Sequence, residues 1–144
     1  MFEKLFLLVK NNAGMAVIDN PSIPEKYHEA VINEASSSII DVLKNQVEGG
    51  KLKEVIKHFQ HPDIYNDPLT NSVVNKFANK LNTFYNLSPA DALATSKMLM
   101  PQVMQELVKA SKVQDTDFAL ATFLSKLTGN RTGMSMLVNK MVAA

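Results

Sequence analysis

The sequence predicts an all-α protein, a multihelical bundle of six or seven helices, and three observations carry that expectation. Apolar residues recur at three- and four-residue spacing along nearly the whole chain. Helix starts built on a capping residue and a proline punctuate it at Ser22-Ile23-Pro24-Glu25, Asp67-Pro68 and Ser88-Pro89-Ala90-Asp91. Apolar alternation of the strand type never persists for more than a few residues. With 144 residues, 46% of them hydrophobic, residues 1–144 read as one helical domain able to bury a sizeable core.

The first predicted helix covers about Phe2 to Val17, with Phe2, Leu5, Phe6 and Val9 on one face. Asp19-Asn20-Pro21-Ser22 stops it, because proline disfavours continuation. Ser22 to Glu25 has the pattern of a capping box, in which the Glu25 carboxylate accepts from the Ser22 amide. The second helix runs to about Gln46 and buries Tyr27, Val31, Ala35, Ile39, Val42 and Leu43, and Gly49-Gly50 ends it. A short third helix turns Leu52, Val55, Ile56 and Phe59 inward and Lys51, Lys53 and Lys57 outward. His61 to Asp67 is expected as an ordered loop or a linker.

Asp67 and Pro68 restart the helix, since proline at the first helical position loses no hydrogen bond. This fourth helix buries Val73, Val74, Phe77, Leu81 and Phe84. Ser88 opens the fifth, which reaches about Ala110 and is apolar on most of its circumference: Leu93, Leu99, Met100, Val103, Met104, Leu107 and Val108. Only Thr95, Gln102, Gln105, Glu106 and Lys109 mark a polar strip, which places this helix at the centre of the bundle. Pro101 removes the amide that would bond to Lys97 and is expected to kink it. Asp115 or Thr116 caps a sixth helix with Phe118, Leu120, Phe123, Leu124 and Leu127 inside and Gly129 at its stop. A last helix from about Gly133 carries Met134, Met136, Leu137 and Met141.

Long helix then short helix occurs twice, in sub-halves 1–60 and 68–144. Ala30, Ile39 and Leu43 fall opposite Ala94, Val103 and Leu107 at an offset of 64, and Val55, Ile56 and Phe59 opposite Phe123, Leu124 and Leu127 at an offset of 68. An internal duplication and two unrelated amphipathic pairs both fit this pattern.

The segment Val73 to Leu107, VVNKFANKLNTFYNLSPADALATSKMLMPQVMQEL, resembles the bacterial YidB-like family of small helical proteins. The shared pattern is an amphipathic helix, a turn, a Ser/Pro/Ala helix start and a long helix with an apolar-Pro step, here Met100-Pro101, then Val103, Met104 and Leu107. Leu127-Thr128-Gly129 represents the short helix and glycine-containing tail. The likeness covers the C-terminal half well and the N-terminal half loosely. The chain departs from the family in holding only 5 glycines. The resemblance implies the fold and a bacterial origin, and it brings no activity, cofactor or catalytic residue.

Composition narrows the function classes. The net charge of +1 removes a strong long-range field for nucleic acid or anionic lipid. The charge is uneven, however. Residues 1–71 hold 7 Lys/Arg against 10 Asp/Glu, a charge of −3, and residues 72–144 hold 8 against 4, a charge of +4. That offset suits copies meeting head to tail, as well as a scatter of solvated charges. With no cysteine, disulfides, thiolate metal sites and cysteine nucleophiles are excluded. The N-terminus holds only a five-residue apolar run, Leu5 to Val9, short of a signal peptide, and no window approaches the ~20 apolar residues of a membrane span. A cytoplasmic protein is expected.

No catalytic constellation emerges. His58 and His61 with Asp63 are ligand types for a metal, but His61 sits where a helix ends, and histidines complement that negative end anyway. Ser36-Ser37-Ser38 lie in mid-helix, where hydroxyls bond a carbonyl one turn back. Gly49-Gly50-Lys51 lacks the spacing of a phosphate loop. Lys51, Lys53 and Lys57 form a basic strip too small to make nucleic acid a strong expectation.

Methionine is the suggestive feature. Met98, Met100, Met104, Met134, Met136 and Met141 make six of 8. Flexible thioethers fill irregular cores, and they also make adaptable docking surfaces. The expectation is therefore a non-catalytic, cofactor-free helical module for a protein partner or a homo-oligomer, with Met134, Met136 and Met141 at the contact. A pocket for a small apolar ligand or lipid beside Pro101 is the alternative, and weak nucleic-acid binding stands behind it.

Overall fold

The computed structural model describes residues 2–61, 67–113, 116–129 and 133–143, and every regular element among them is helical. Seven α-helices follow in order: α1 (Phe2–Asn11), α2 (His28–Glu48), α3 (Leu52–Gln60), α4 (Pro68–Tyr85), α5 (Pro89–Ser111), α6 (Leu120–Leu127) and α7 (Met134–Ala143). A π-helical turn, Gly14–Ile18, and a 3₁₀ turn, Glu25–Tyr27, stand between α1 and α2. The fold is the expected all-α bundle. The Phe2 side chain, Asp63 and Asp115, for which expectations were stated, lie outside the described residues.

The first helix stops earlier than its periodicity predicts. Asn12 turns its amide onto the Leu8 carbonyl at 2.9 Å and onto Glu106 of α5 at 2.7 Å. The chain then widens into the π turn, where the Ile18 and Asp19 amides reach five residues back to Ala13 and Gly14. Asn20 closes the segment, donating to the Ala16 carbonyl and to Thr95 Oγ1 of α5, both at 3.0 Å. Pinned to α5 at both ends, the wider turn buries Ala13, Ala16 and Val17 together. It also explains why Thr95, expected on the polar strip, is buried: its hydroxyl faces Asn20.

The capping box does not form. The Ser22 amide donates to Asn20 Oδ1 at 2.9 Å, a local Asx turn, and α2 begins through the 3₁₀ turn instead. Tyr27 sits on that turn and is exposed rather than buried, its ring edge-on to Tyr85 at 5.9 Å. The end of α2 follows the sequence closely. Gly50, at φ +82°, lets its own amide bond Val47 and the Lys51 amide bond Gln46, a Schellman closure of the last turn.

Local chemistry also sets α4 and α5. Asp67 Oδ1 accepts from the Leu69 and Thr70 amides at 3.0 and 3.4 Å, with Pro68 at the first turn. Asn86 takes the left-handed conformation, φ 59°, that ends α4. Ser88 Oγ then accepts from the Asp91 amide at 3.1 Å. Between the two helices, buried Ser96 Oγ donates to the Val74 carbonyl at 2.6 Å. Phe84, expected inside, is exposed, because the stripe that passes Phe77 and Leu81 ends on half-buried Tyr85. The centre is shared: α5 meets α1, α3, α4 and the π turn, while α2 meets α1, α3, α4 and α6. Helix α5 runs through Pro101 as one continuous helix from Pro89 to Ser111.

α6 starts differently from the expectation. Its first turn follows Ala119 with no side-chain cap, and Thr116 instead donates to the Val113 carbonyl at 3.1 Å. Phe123, Leu124 and Leu127 are buried, and Phe118 meets Phe123 edge-on at 5.8 Å. A single apolar cluster draws residues from all seven helices. No helix among the described residues is long and apolar enough to cross a membrane.

Candidate functional site

The C-terminal helix divides the three methionines expected at a contact surface. Helical spacing puts Met134, Val138 and Met141 on one side, at i, i+4 and i+7. Met134 and Val138 are buried in the core, and half-buried Met141 packs against it. Met134 and Met141 are therefore not the outward surface. Met136 is, at 79% exposure, with Leu137 at 46% one position on, while Val142, at 41%, lies on the other flank of the helix. Neighbouring methionines could not be told apart by composition, because consecutive residues lie about 100° apart on a helix and only packing decides which turns in.

Helix α7 is held from below by α6 and α3. A cleft of about 580 Å³ opens at this junction, lined by Phe59, Ser111, Leu120 and Thr122 and by Val138 and Val142 of α7. The helix has no acidic residue, and Lys140 and Asn139 are solvated alongside the apolar side chains. The surface is thus apolar, adaptable and locally basic.

A second cleft, of about 500 Å³, lies between α1 and α2. Phe6, Leu7, Ala30 and Asn33 line it, with Glu3 and Glu29 at its rim. Leu7 is 53% exposed although it sits in an amphipathic helix, because Leu5 and Val9 take the inner positions. Nothing in the sequence singled out this groove, since its two walls are distant along the chain.

The third cleft, about 660 Å³, joins α3 to the start of α4 and collects the residues first weighed for metal or phosphate. His58 is buried there, and its Nδ1 rests against the Asp67 carboxylate. Neither ring nitrogen makes an aligned hydrogen bond among the described residues. Burial pushes the His58 pKa below its ordinary value, and the Asp67 carboxylate, which pulls upward, does not overcome that. Asp67 is already committed to the α4 amides, so His58 shares a carboxylate occupied on its other oxygen. The helical register of His58 with Val55 and Phe59 was the sequence signal for its burial. Among the described residues no group of three His, Asp or Glu side chains is arranged to hold a metal.

Other candidates are absorbed by structure. Ser36 and Ser38 donate to the Ile32 and Glu34 carbonyls one turn back, at 3.2 and 2.8 Å. Lys51, Lys53 and Lys57 are solvated, and Lys51 and Lys57 share their cleft with Glu54. None of the three clefts is lined by Pro101 or its neighbours. Compared with family models, with curated proteins and with solved structures, the chain matches none.

Proposed function

We propose that this chain is a cytoplasmic, non-catalytic helical module that self-associates, with the outward face of α7 as the contact. One observation carries the proposal: Met136 stands in solvent opposite the buried Met134–Val138 side of α7, with exposed Leu137 one position on. Exposed large apolar residues grouped on one element mark interaction surfaces. Methionine and leucine suit such a surface because their side chains adapt to the partner. The resemblance of Val73–Leu107 to YidB-like proteins concerns the supporting α4–α5 pair and adds no chemistry to this reading.

Sedimentation velocity over a wide concentration range tests it. The wild-type chain is expected to gain mass above its 15.9 kDa monomer as concentration rises. Met136→Lys combined with Leu137→Lys is expected to remain monomeric with unchanged helicity. Met134 is not exchanged, because a lysine there would enter the core. A wild-type chain that stays monomeric throughout contradicts the proposal. A co-purified small-molecule adduct on that monomer would favour ligand binding instead.

A further inference from the structure

Two surfaces of the molecule complement one another. The α1–α2 groove is apolar inside, with Phe6, Leu7 and Ala30, and acidic at its rim, with Glu3 and Glu29. The outward side of α7 presents Met136 and Leu137, with Lys140 one turn on from Met136 and no acid in the helix. Among the described residues Glu3, Glu29 and Lys140 take part in no ion pair. The larger charge division runs the same way: −3 over residues 1–71 and +4 over 72–144.

We infer that α7 of one molecule docks, apolar face first, into the α1–α2 groove of a second copy, with Lys140 drawn to Glu3 and Glu29. This rests on the self-association proposed above and names the surface that receives α7. The mode is helix-in-groove recognition, with Met136 and Leu137 as the apolar anchors and Lys140 beside them at the acidic rim. Exposed ion pairs at the rim contribute little affinity, but they fix orientation and make association weaken with salt.

The geometry has a consequence for assembly. Donor and acceptor are different surfaces, since α7 rests on α3 and α6 while the groove belongs to α1 and α2. A single such contact leaves one α7 and one groove free, so assembly continues to an open chain unless it closes into a ring or into a dimer whose two copies exchange the contact reciprocally.

Two singly blocked proteins separate this inference from its foundation. Leu7→Lys blocks the groove at an exposed position and leaves α7 intact; Met136→Lys with Leu137→Lys blocks α7 and leaves the groove intact. Each alone is expected to lose association about tenfold or more, the cost of removing a central apolar anchor. Mixed in equal amounts, they are expected to form a 1:1 pair of twice the 15.9 kDa monomer and nothing larger. Glu29→Lys, at a solvated position, provides a second groove variant and is expected to weaken the pair with the same sign. Association of Leu7→Lys and Glu29→Lys at wild-type strength would overturn the inference while leaving self-association standing. Failure of the mixture to pair would overturn it as well. A wild-type chain that is monomeric would remove the underlying proposal along with it.

Discussion

The pair α4–α5 and the pair α6–α7 have the same plan and different outcomes. In the first, the caps Asp67 and Ser88, the left-handed Asn86 and the buried Ser96–Val74 hydrogen bond all reinforce one packing, and the stripe from Leu69 to Leu81 is fully covered. In the second, α6 begins at Ala119 without a side-chain cap, and α7 buries Met134 and Val138 while leaving Met136, Leu137 and Val142 in water. Where local chemistry and packing agree, the inner stripe is covered and only single apolar side chains, Phe84 and Met98, are left exposed. Where apolar residues exceed what the fold covers, a surface remains for something else to bury.

The largest expected contrast is in core truncation. Phe77→Ala, at a fully buried position in α4, is expected to cost roughly 3–5 kcal/mol in chemical denaturation, because a cavity adds to the lost transfer energy. Met136→Ala in α7 is expected to stay within about 0.5 kcal/mol in dilute, monomeric protein, as exposed substitutions do. A large loss at Met136 would mean that the face is already buried, and the contrast would collapse.

Caps sharpen the same comparison at smaller scale. Ser88→Ala is expected to cost about 1 kcal/mol, whereas Thr116→Ala, which caps no helix, is expected to change stability by a few tenths at most. Thermal or denaturant unfolding of the two variants side by side checks this.

The next effect is in acid, at the α3–α4 junction. Burial holds the folded-state pKa of His58 below its ordinary 6.5, so the unfolded chain binds the proton more readily. The His58 contribution is fully present above about pH 6.5 and is lost as pH falls from there through the lower folded value. Asp67→Asn keeps an α4 cap, since Asn and Asp cap comparably. It removes the upward pull on His58, so its NMR titration is expected to move to lower pH. An upward move would show that the ion pair does not act as described.

The smallest effect is expected at Asp117, which Lys126 at 2.8 Å and Lys4 at 2.5 Å hold down to about 2, the Lys126 hydrogen bond first. Its depressed pKa gives a contribution present above the ordinary carboxylate value of 3.8 and lost as pH falls through about 2. Exposure and screening make that contribution minor, and raised salt is expected to move the Asp117 titration back toward 3.8. A salt-independent titration would contradict this.

What could be read from the sequence was whatever a few neighbouring residues decide by themselves. Asp67-Pro68, Ser88-Pro89 and Gly50 fix helix ends through one side-chain oxygen, one missing amide and one positive φ. Tyr27, Phe84 and Thr95 were misplaced because their exposure depends on distant partners. The 3₁₀ turn carries Tyr27 outward, Tyr85 replaces Phe84 at the end of its stripe, and Asn20 reaches Thr95 across 75 residues. The candidate surface was legible as a helix but not as a face. Composition grouped Met134 with Met136, and only the contacts with α6 and α3 separate them. The groove at Leu7 and Ala30 was invisible for the same reason.

The central claim is that α7 is covered by another copy, and the absence of cysteine permits a direct test. A nitroxide label on Met136→Cys, in unlabelled protein mixed with ¹⁵N-labelled wild type, reports only contacts between molecules. Selective broadening is expected of amides around Glu3, Leu7, Ala30 and Asn33 of the second molecule, diminishing as salt is raised. No intermolecular broadening anywhere, at the highest concentration the protein tolerates, would contradict it.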